Sequence, residues 1–123
     1  MSNFNFENLL VYQRSLKLSI ELIKQTKEFN FKYNRIRDQF IGATISVPLN
    51  IAEGSGRKSY KEKINFYKIA QSSYFECIPI VSICLELNLV EEETIIKWRD
   101  EISQICRMLS GLINNLKSLN TKP

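Results

Sequence analysis

The 123-residue chain contains no histidine, and it has only four glycines, three prolines, three cysteines and one tryptophan. Without histidine the commonest general base and transition-metal ligand is missing. No Walker loop, G-x-S-x-G elbow, H-E-x-x-H or G-x-G-x-x-G motif stands in its place. The three cysteines, Cys77, Cys84 and Cys106, are odd in number and lack C-x-x-C spacing. They argue against a disulfide framework and against structural zinc, and read as small core residues. No run approaches the ~20 consecutive apolar residues of a membrane span, and the opening MSNFNFENLL lacks a basic segment leading into an apolar one. The expected location is therefore the cytoplasm. With so little Gly and Pro, and no low-complexity tract or fixed-period repeat, residues 1–123 read as one domain. Only residues 1–5 and 119–123 look loose.

What the chain does have is helical periodicity and 44% hydrophobic residues, enough to build a core without staples. Tyr12, Leu16, Ile20 and Ile23 recur at steps of four, four and three, predicting a first helix over about 7–27 with that stripe inward. After a turn around Asn30, Ile36, Phe40, Ala43, Val47 and Ile51 predict a second helix over 33–53, ended by a cap at Gly54 and bent at Pro48. Ser59 and Glu62 fit a capping box. They open a third helix over 60–88, with Phe66, Ala70, Ser73, Cys77, Val81 and Cys84 inward and a second bend at Pro79. Glu91, Glu92 and Glu93 suit the N-terminal dipole of a fourth helix over 92–118. Its seam runs Ile95, Trp98, Ile102, Ile105, Leu109, Leu112, Leu116, Leu119 without a break. Short turns between four helices, and no period-two segments, predict an all-α, antiparallel up-down-up-down four-helix bundle.

Catalytic groups are scarce. Glu53 and Glu76 are the carboxylates best placed to face each other, as paired acids do in di-iron bundles, but those sites need Glu-x-x-His. No catalytic residue, metal or cofactor is expected, nor any small-molecule substrate. Gln39, Ser46, Asn50, Glu53 and Arg57 form a polar stripe along the second helix, beside its core face. Ser46, Asn50, Glu53 and Glu76 read as structural polar groups that fix the register against the third helix, the alternative being that they orient Arg57 toward a ligand. The opposite flank, with Ile41, Ile45 and Leu49, is also apolar. It reads as a self-association interface, or else as a helix buried deep in its own bundle.

The net charge of +4 is uneven: residues 1–68 carry +6 and residues 69–123 carry −2. Arg57, Lys58, Lys61 and Lys68 gather near the start of the third helix, where free amides add positive potential suited to phosphate. Lys32, Arg35 and Arg37 interleave with Phe29, Phe31 and Tyr33, a composition that holds phosphates while stacking bases. About twenty helical residues separate the two clusters by ~30 Å. The plain alternative is a solvated rim with aromatics plugging one bundle end.

The segment QFIGATISVPLNIAEGSGR, Gln39 to Arg57, with IAQSS and Glu76 after it and FENLLVYQ before, resembles the small proteins encoded in intervening sequences of bacterial 23S rRNA genes. That S23-like family is related to the accessory variability determinant of diversity-generating retroelements. The resemblance rests on Ser46, Pro48, Asn50, Ala52, Glu53, Gly54 and Arg57. It implies a four-helix bundle in a ring-like homopentamer and, for the retroelement relatives, a basic surface that engages RNA and a reverse transcriptase. Two departures stand out: Ile41 and Gly42 occupy positions where relatives often carry arginine, and Ser72 one that is often glycine. The expected function is thus a non-catalytic oligomeric module that contacts RNA or a nucleic-acid enzyme, with a purely structural protein–protein scaffold as the rival.

Overall fold

Four α-helices account for most of residues 4–121, which are the residues the computed structural model describes. They are α1 (Leu10–Thr26), α2 (Asn34–Ser55), α3 (Tyr60–Glu86) and α4 (Glu92–Asn120), with 3-10 turns at Asn5–Asn8 and Phe31–Tyr33. The first helix starts later than its periodicity suggests because Asn5–Asn8 form a separate turn. Of the ends expected to be loose, Asn5 lies in that turn and Leu119 and Asn120 close α4. Residues 1–3 and 122–123 lie outside the described residues.

Each helix packs on its sequence neighbours and α1 also meets α4, which closes a four-sided bundle; α2 against α3 is the most extensive contact. Interhelical bonds give the direction. Gln39, Ser46 and Ser55 ascend α2 while their α3 partners Glu76, Ser73 and Tyr67 descend, so the two run antiparallel. The core holds Leu18 and Leu22 of α1, Phe40, Val47 and Ile51 of α2, Tyr74, Cys77 and Val81 of α3, and Trp98, Ile105 and Leu109 of α4.

Local chemistry sets the helix ends. Asn30 accepts from the Lys32 amide at 3.0 Å to start the first connection. The Ser59 hydroxyl accepts from the Glu62 amide at 3.0 Å, as a capping serine does, and the Glu62 carboxylate takes the Ser59 hydroxyl proton at 3.3 Å. At the end of α3 the amides of Asn88 and Leu89 bond the carbonyls of Leu85 and Cys84, a Schellman motif. Asn88 occupies the left-handed position this motif requires, at φ 56°.

Three expectations need correction. The inward stripe of α1 is Val11, Ser15, Leu18, Leu22 and Thr26, whereas Leu16 and Ile20 face solvent and Tyr12 and Ile23 are half-buried. The bulkier stripe loses because Ser15 and Thr26 hide their hydroxyls on the carbonyls of Tyr12 and Ile23, at 2.9 and 2.7 Å. So satisfied, they pack as small groups and let α1 approach its neighbours closely. Along α4 the seam leaves Leu112 and Leu116 half-buried and Leu119 exposed, and Ile113 turns inward. A 3.6-residue helix drifts off a strict heptad by about 20° per repeat.

Gly54, finally, is no cap but part of α2, which runs on to Ser55. A Cβ there would lie 2.9 Å from Cβ of Phe66 and 3.0 Å from Cε1 of Tyr67, so glycine permits the close approach of α3. The carbonyls at the end of α2 receive instead the Lys63 ammonium, 2.9 Å from Ser55 O and 3.4 Å from Gly54 O.

Candidate interaction surfaces

Asn50 donates to the carbonyl and hydroxyl of Ser46, at 2.8 and 3.0 Å, and Ser73 of α3 donates to the same Ser46 hydroxyl at 2.9 Å. Ser46 thus bridges α2 to α3, with Asn50 bonded within its own helix. Further along, Gln39 reaches Glu76 at 3.5 Å. Glu53 does not bond to α3. It is exposed and pairs with Arg57 one turn on, at 3.4 Å. Glu53 and Glu76 are therefore no acid pair: Glu76 is level with Gln39, ~21 Å along the α2 axis from Glu53 at 1.5 Å per residue. Among the described residues no group of three or more His, Cys, Asp or Glu side chains could hold a metal ion.

Of the cations near the start of α3, Lys58, Lys61 and Lys68 are exposed. Arg57 is half-buried, with its guanidinium 4.8 Å over the Phe66 ring and beside Glu53. The other cluster straddles the start of α2: Lys32 lies 5.2 Å over the Tyr33 ring, Phe31 projects into solvent, Arg35 is exposed and Arg37 is half-buried. The 22 residues of α2 hold the two clusters ~33 Å apart, at opposite ends of the bundle.

Polar ties differ between the helix pairs. Pro48 lacks the amide that would bond the Thr44 carbonyl, and the Ser19 hydroxyl of α1 donates to that carbonyl at 3.0 Å. Pro79 withdraws the amide due to the Phe75 carbonyl in the same way. Among the described residues no side chain answers there. Arg14 of α1 holds Glu101 of α4 through both carboxylate oxygens and also donates to Gln104 at 2.7 Å. Its bond to Glu101 pushes the guanidinium pKa up.

Two outer faces follow from this geometry. With Ser19 against Thr44, turns of ~100° per residue place Tyr12, Leu16, Ile20 and Ile23 on the flank of α1 beside α2. Ile41, Ile45 and Leu49 fall on the flank of α2 beside α1. Together they form an apolar face, in which Leu16 is 39%, Ile20 45%, Ile45 38% and Leu49 63% exposed. The face over α3 and α4 is different. Two adjoining depressions of about 380 and 660 Å³ share Phe75, Cys106 and Ser110. Lys68 lines one of them, Arg99 and Arg107 the other, and no carboxylate lines either.

Sequence reading missed Phe75, Arg99 and Arg107. The available signal was Phe75 standing off the core stripe of α3, and Arg99, Ser103, Arg107 and Ser110 at steps of four, four and three opposite the Glu101 flank of α4. Lys63 and Arg14 were missed as well. Neither stands out without knowing which carbonyl or carboxylate lies across from it.

These features define an all-α antiparallel four-helix bundle with an apolar face and a cationic groove open to solvent. A match to the family described as 23S rRNA-intervening sequence protein extends over residues 7–111, and the chain belongs to that family. Its fold is similar to the crystal structure of a protein of unknown function from the S23 ribosomal protein family of Bacteroides thetaiotaomicron. That likeness has a TM-score of 0.74 at 20% identity, covering 85% of this chain and 98% of the other. Among curated proteins, none matches. No described helix is long and apolar enough to cross a membrane.

Proposed function

We propose that this protein is a non-catalytic, self-associating binding module that works in the cytoplasm and contacts RNA, or an enzyme handling nucleic acid such as a reverse transcriptase, through a basic surface. The observation that carries the reading is the apolar face of Leu16, Ile20, Ile45 and Leu49, which a lone bundle leaves in water. Burial against another copy removes that exposure at about 25 cal/mol per Å². A ring-like homopentamer, as the resemblance implies, uses a heterologous contact in which this face meets a different surface of the neighbour. The unpaired thiols of Cys77, Cys84 and Cys106 suit a reducing compartment. The RNA contact is supported by the net charge of +4, by exposed Lys58, Lys61 and Lys68, and by the family's description in terms of 23S rRNA.

Light scattering tests the assembly: a mass that is a multiple of 14.4 kDa is expected, and a strict monomer refutes it. Titration with a structured RNA tests the contact. Affinity at about 50 mM salt that falls steeply by about 200 mM is expected, and negligible or salt-insensitive binding refutes it. The rival scaffold without nucleic acid draws on Arg57 and Lys63, whose cations are engaged by Glu53, the Phe66 ring and the Ser55 carbonyl of the protein itself. Its signature is a tight protein partner with no nucleic acid retained on purification.

A further inference from the structure

We infer that the groove between α3 and α4, centred on Phe75, is a site for single-stranded RNA, with a base stacked on the exposed ring and phosphates held by Lys68, Arg99 and Arg107. This rests on the RNA-contact reading above, and centres the contact on α3 and α4, keeping only Lys68 from the two clusters that the sequence suggests. Phe75 is 80% exposed, so its ring contributes almost nothing to the core and both of its neighbouring depressions are open to a flat ligand. Lys68, Arg99 and Arg107 are exposed and form no ion pair with any described residue. Arg99 and Arg107 stand ~12 Å apart along α4, with Ser103 between them on the groove wall. Cations spaced along a groove around an aromatic platform are how single strands are held without sequence reading. A second copy meeting this groove with its own would oppose like charges, so groove-to-groove pairing of two copies is disfavoured.

The test is fluorescence anisotropy of the full chain with a labelled, unstructured RNA of about 12 nucleotides, at about 50 and about 200 mM salt. Phe75→Leu should weaken binding ~5- to ~100-fold with the circular dichroism unchanged, and Phe75→Trp should restore it, because stacking needs a flat ring and not merely an apolar one. Arg99→Gln with Arg107→Gln should reduce the salt slope by about 1.4, the share of two single-strand phosphate contacts. If Phe75→Leu binds like the wild type while Lys58→Gln with Lys61→Gln abolishes binding, the groove is wrong and the RNA reading survives. If the wild-type chain fails to bind the RNA at about 50 mM salt, both fall. If polyglutamate displaces the RNA as well as unlabelled RNA does and Phe75→Leu affects neither, the groove is a docking surface for an acidic protein and the inference is overturned.

Discussion

The two outer faces are built from the same local device and end up opposite in character. Each helix beneath them carries an interior proline four residues after a carbonyl it cannot bond: Thr44 before Pro48, Phe75 before Pro79. At Thr44 the neighbouring helix supplies a buried hydroxyl, and the surrounding face of Leu16, Ile20, Ile45 and Leu49 is apolar. At Phe75 no side chain among the described residues supplies a donor, and the surroundings are an exposed ring with three cations. One freed carbonyl has been taken into the packing of two helices, and the other receives no side chain among the described residues. An apolar face gains most from another protein surface, and a cationic groove with an aromatic floor from a polyanion with flat bases. On the function we propose, the difference places self-association and RNA contact on two sides of one bundle.

The assignment breaks most visibly under charge. Ile45→Glu with Leu49→Glu should convert the assembly to a 14.4 kDa monomer by light scattering and leave helix content near wild type, since both side chains lie outside the core. Phe75→Glu, a charge on the other face, should leave the mass of the assembly unchanged. The seam that holds the two faces in fixed relation is α2 against α3, where Gly54 meets Phe66 and Tyr67. Gly54→Val should cost roughly 3 kcal/mol in urea denaturation, because a core without room for the added carbons must shift both rings.

Smaller effects sharpen the contrast between the ties of the two pairs. Ser19→Ala leaves the Thr44 carbonyl buried without a donor and should destabilise by about 1–2 kcal/mol. Gln71→Ala removes the bonds from α3 to Cys106 O and Ser110 of α4, at 3.1 and 2.8 Å, but water reaches that site and the loss should stay near 0.5 kcal/mol. Equal losses would undo the distinction between a closed and an open pair. Alkaline pH probes the shared interior. Burial pushes the Cys77 thiol from 9.0 to about 12 and Cys84 to about 11, and raises the Tyr74 phenol. The unfolded chain then gives up these protons first, so stability should be full below pH 9 and decline as pH rises toward about 12. Each such group contributes a slope of about 1.4 kcal/mol per pH unit. Chemical denaturation at a series of pH values between 8 and 11 measures this.

Where hydrophobic spacing and capping residues are strong, sequence and structure agree. The pattern of α2 from Phe40 to Ile51, the Ser59 cap and the start of α4 at Glu92 all stand where the residues place them. The reading of α1 fails for an instructive reason. That helix carries two apolar stripes, and the one with larger side chains turned outward because Ser15, Ser19 and Thr26 silence their own hydroxyls and pack closely. Among the candidate site residues, Ile45 and Leu49 lie on an exposed face, Ile41 is half-buried beside them, and Ser46 bridges to Ser73. Arg57 and Glu53 instead form an ion pair within α2's last turn and the turn after it. Charge was misleading in a particular way. The second half of the chain is net acidic, yet Arg99 and Arg107 stand in a groove without carboxylates, since Glu101 faces Arg14 on the other flank of α4.

Local periodicity determined the number of helices, their approximate limits and their caps, because backbone hydrogen bonds within a helix and side chains at its ends involve residues only a few positions apart. Which stripe of α1 turns inward, which cations share a groove and which carbonyl freed by proline receives a side chain from another helix were decided by tertiary packing. Each depends on what another helix presents across a gap of a few ångströms, and that partner stands 25 to 87 positions away in the sequence.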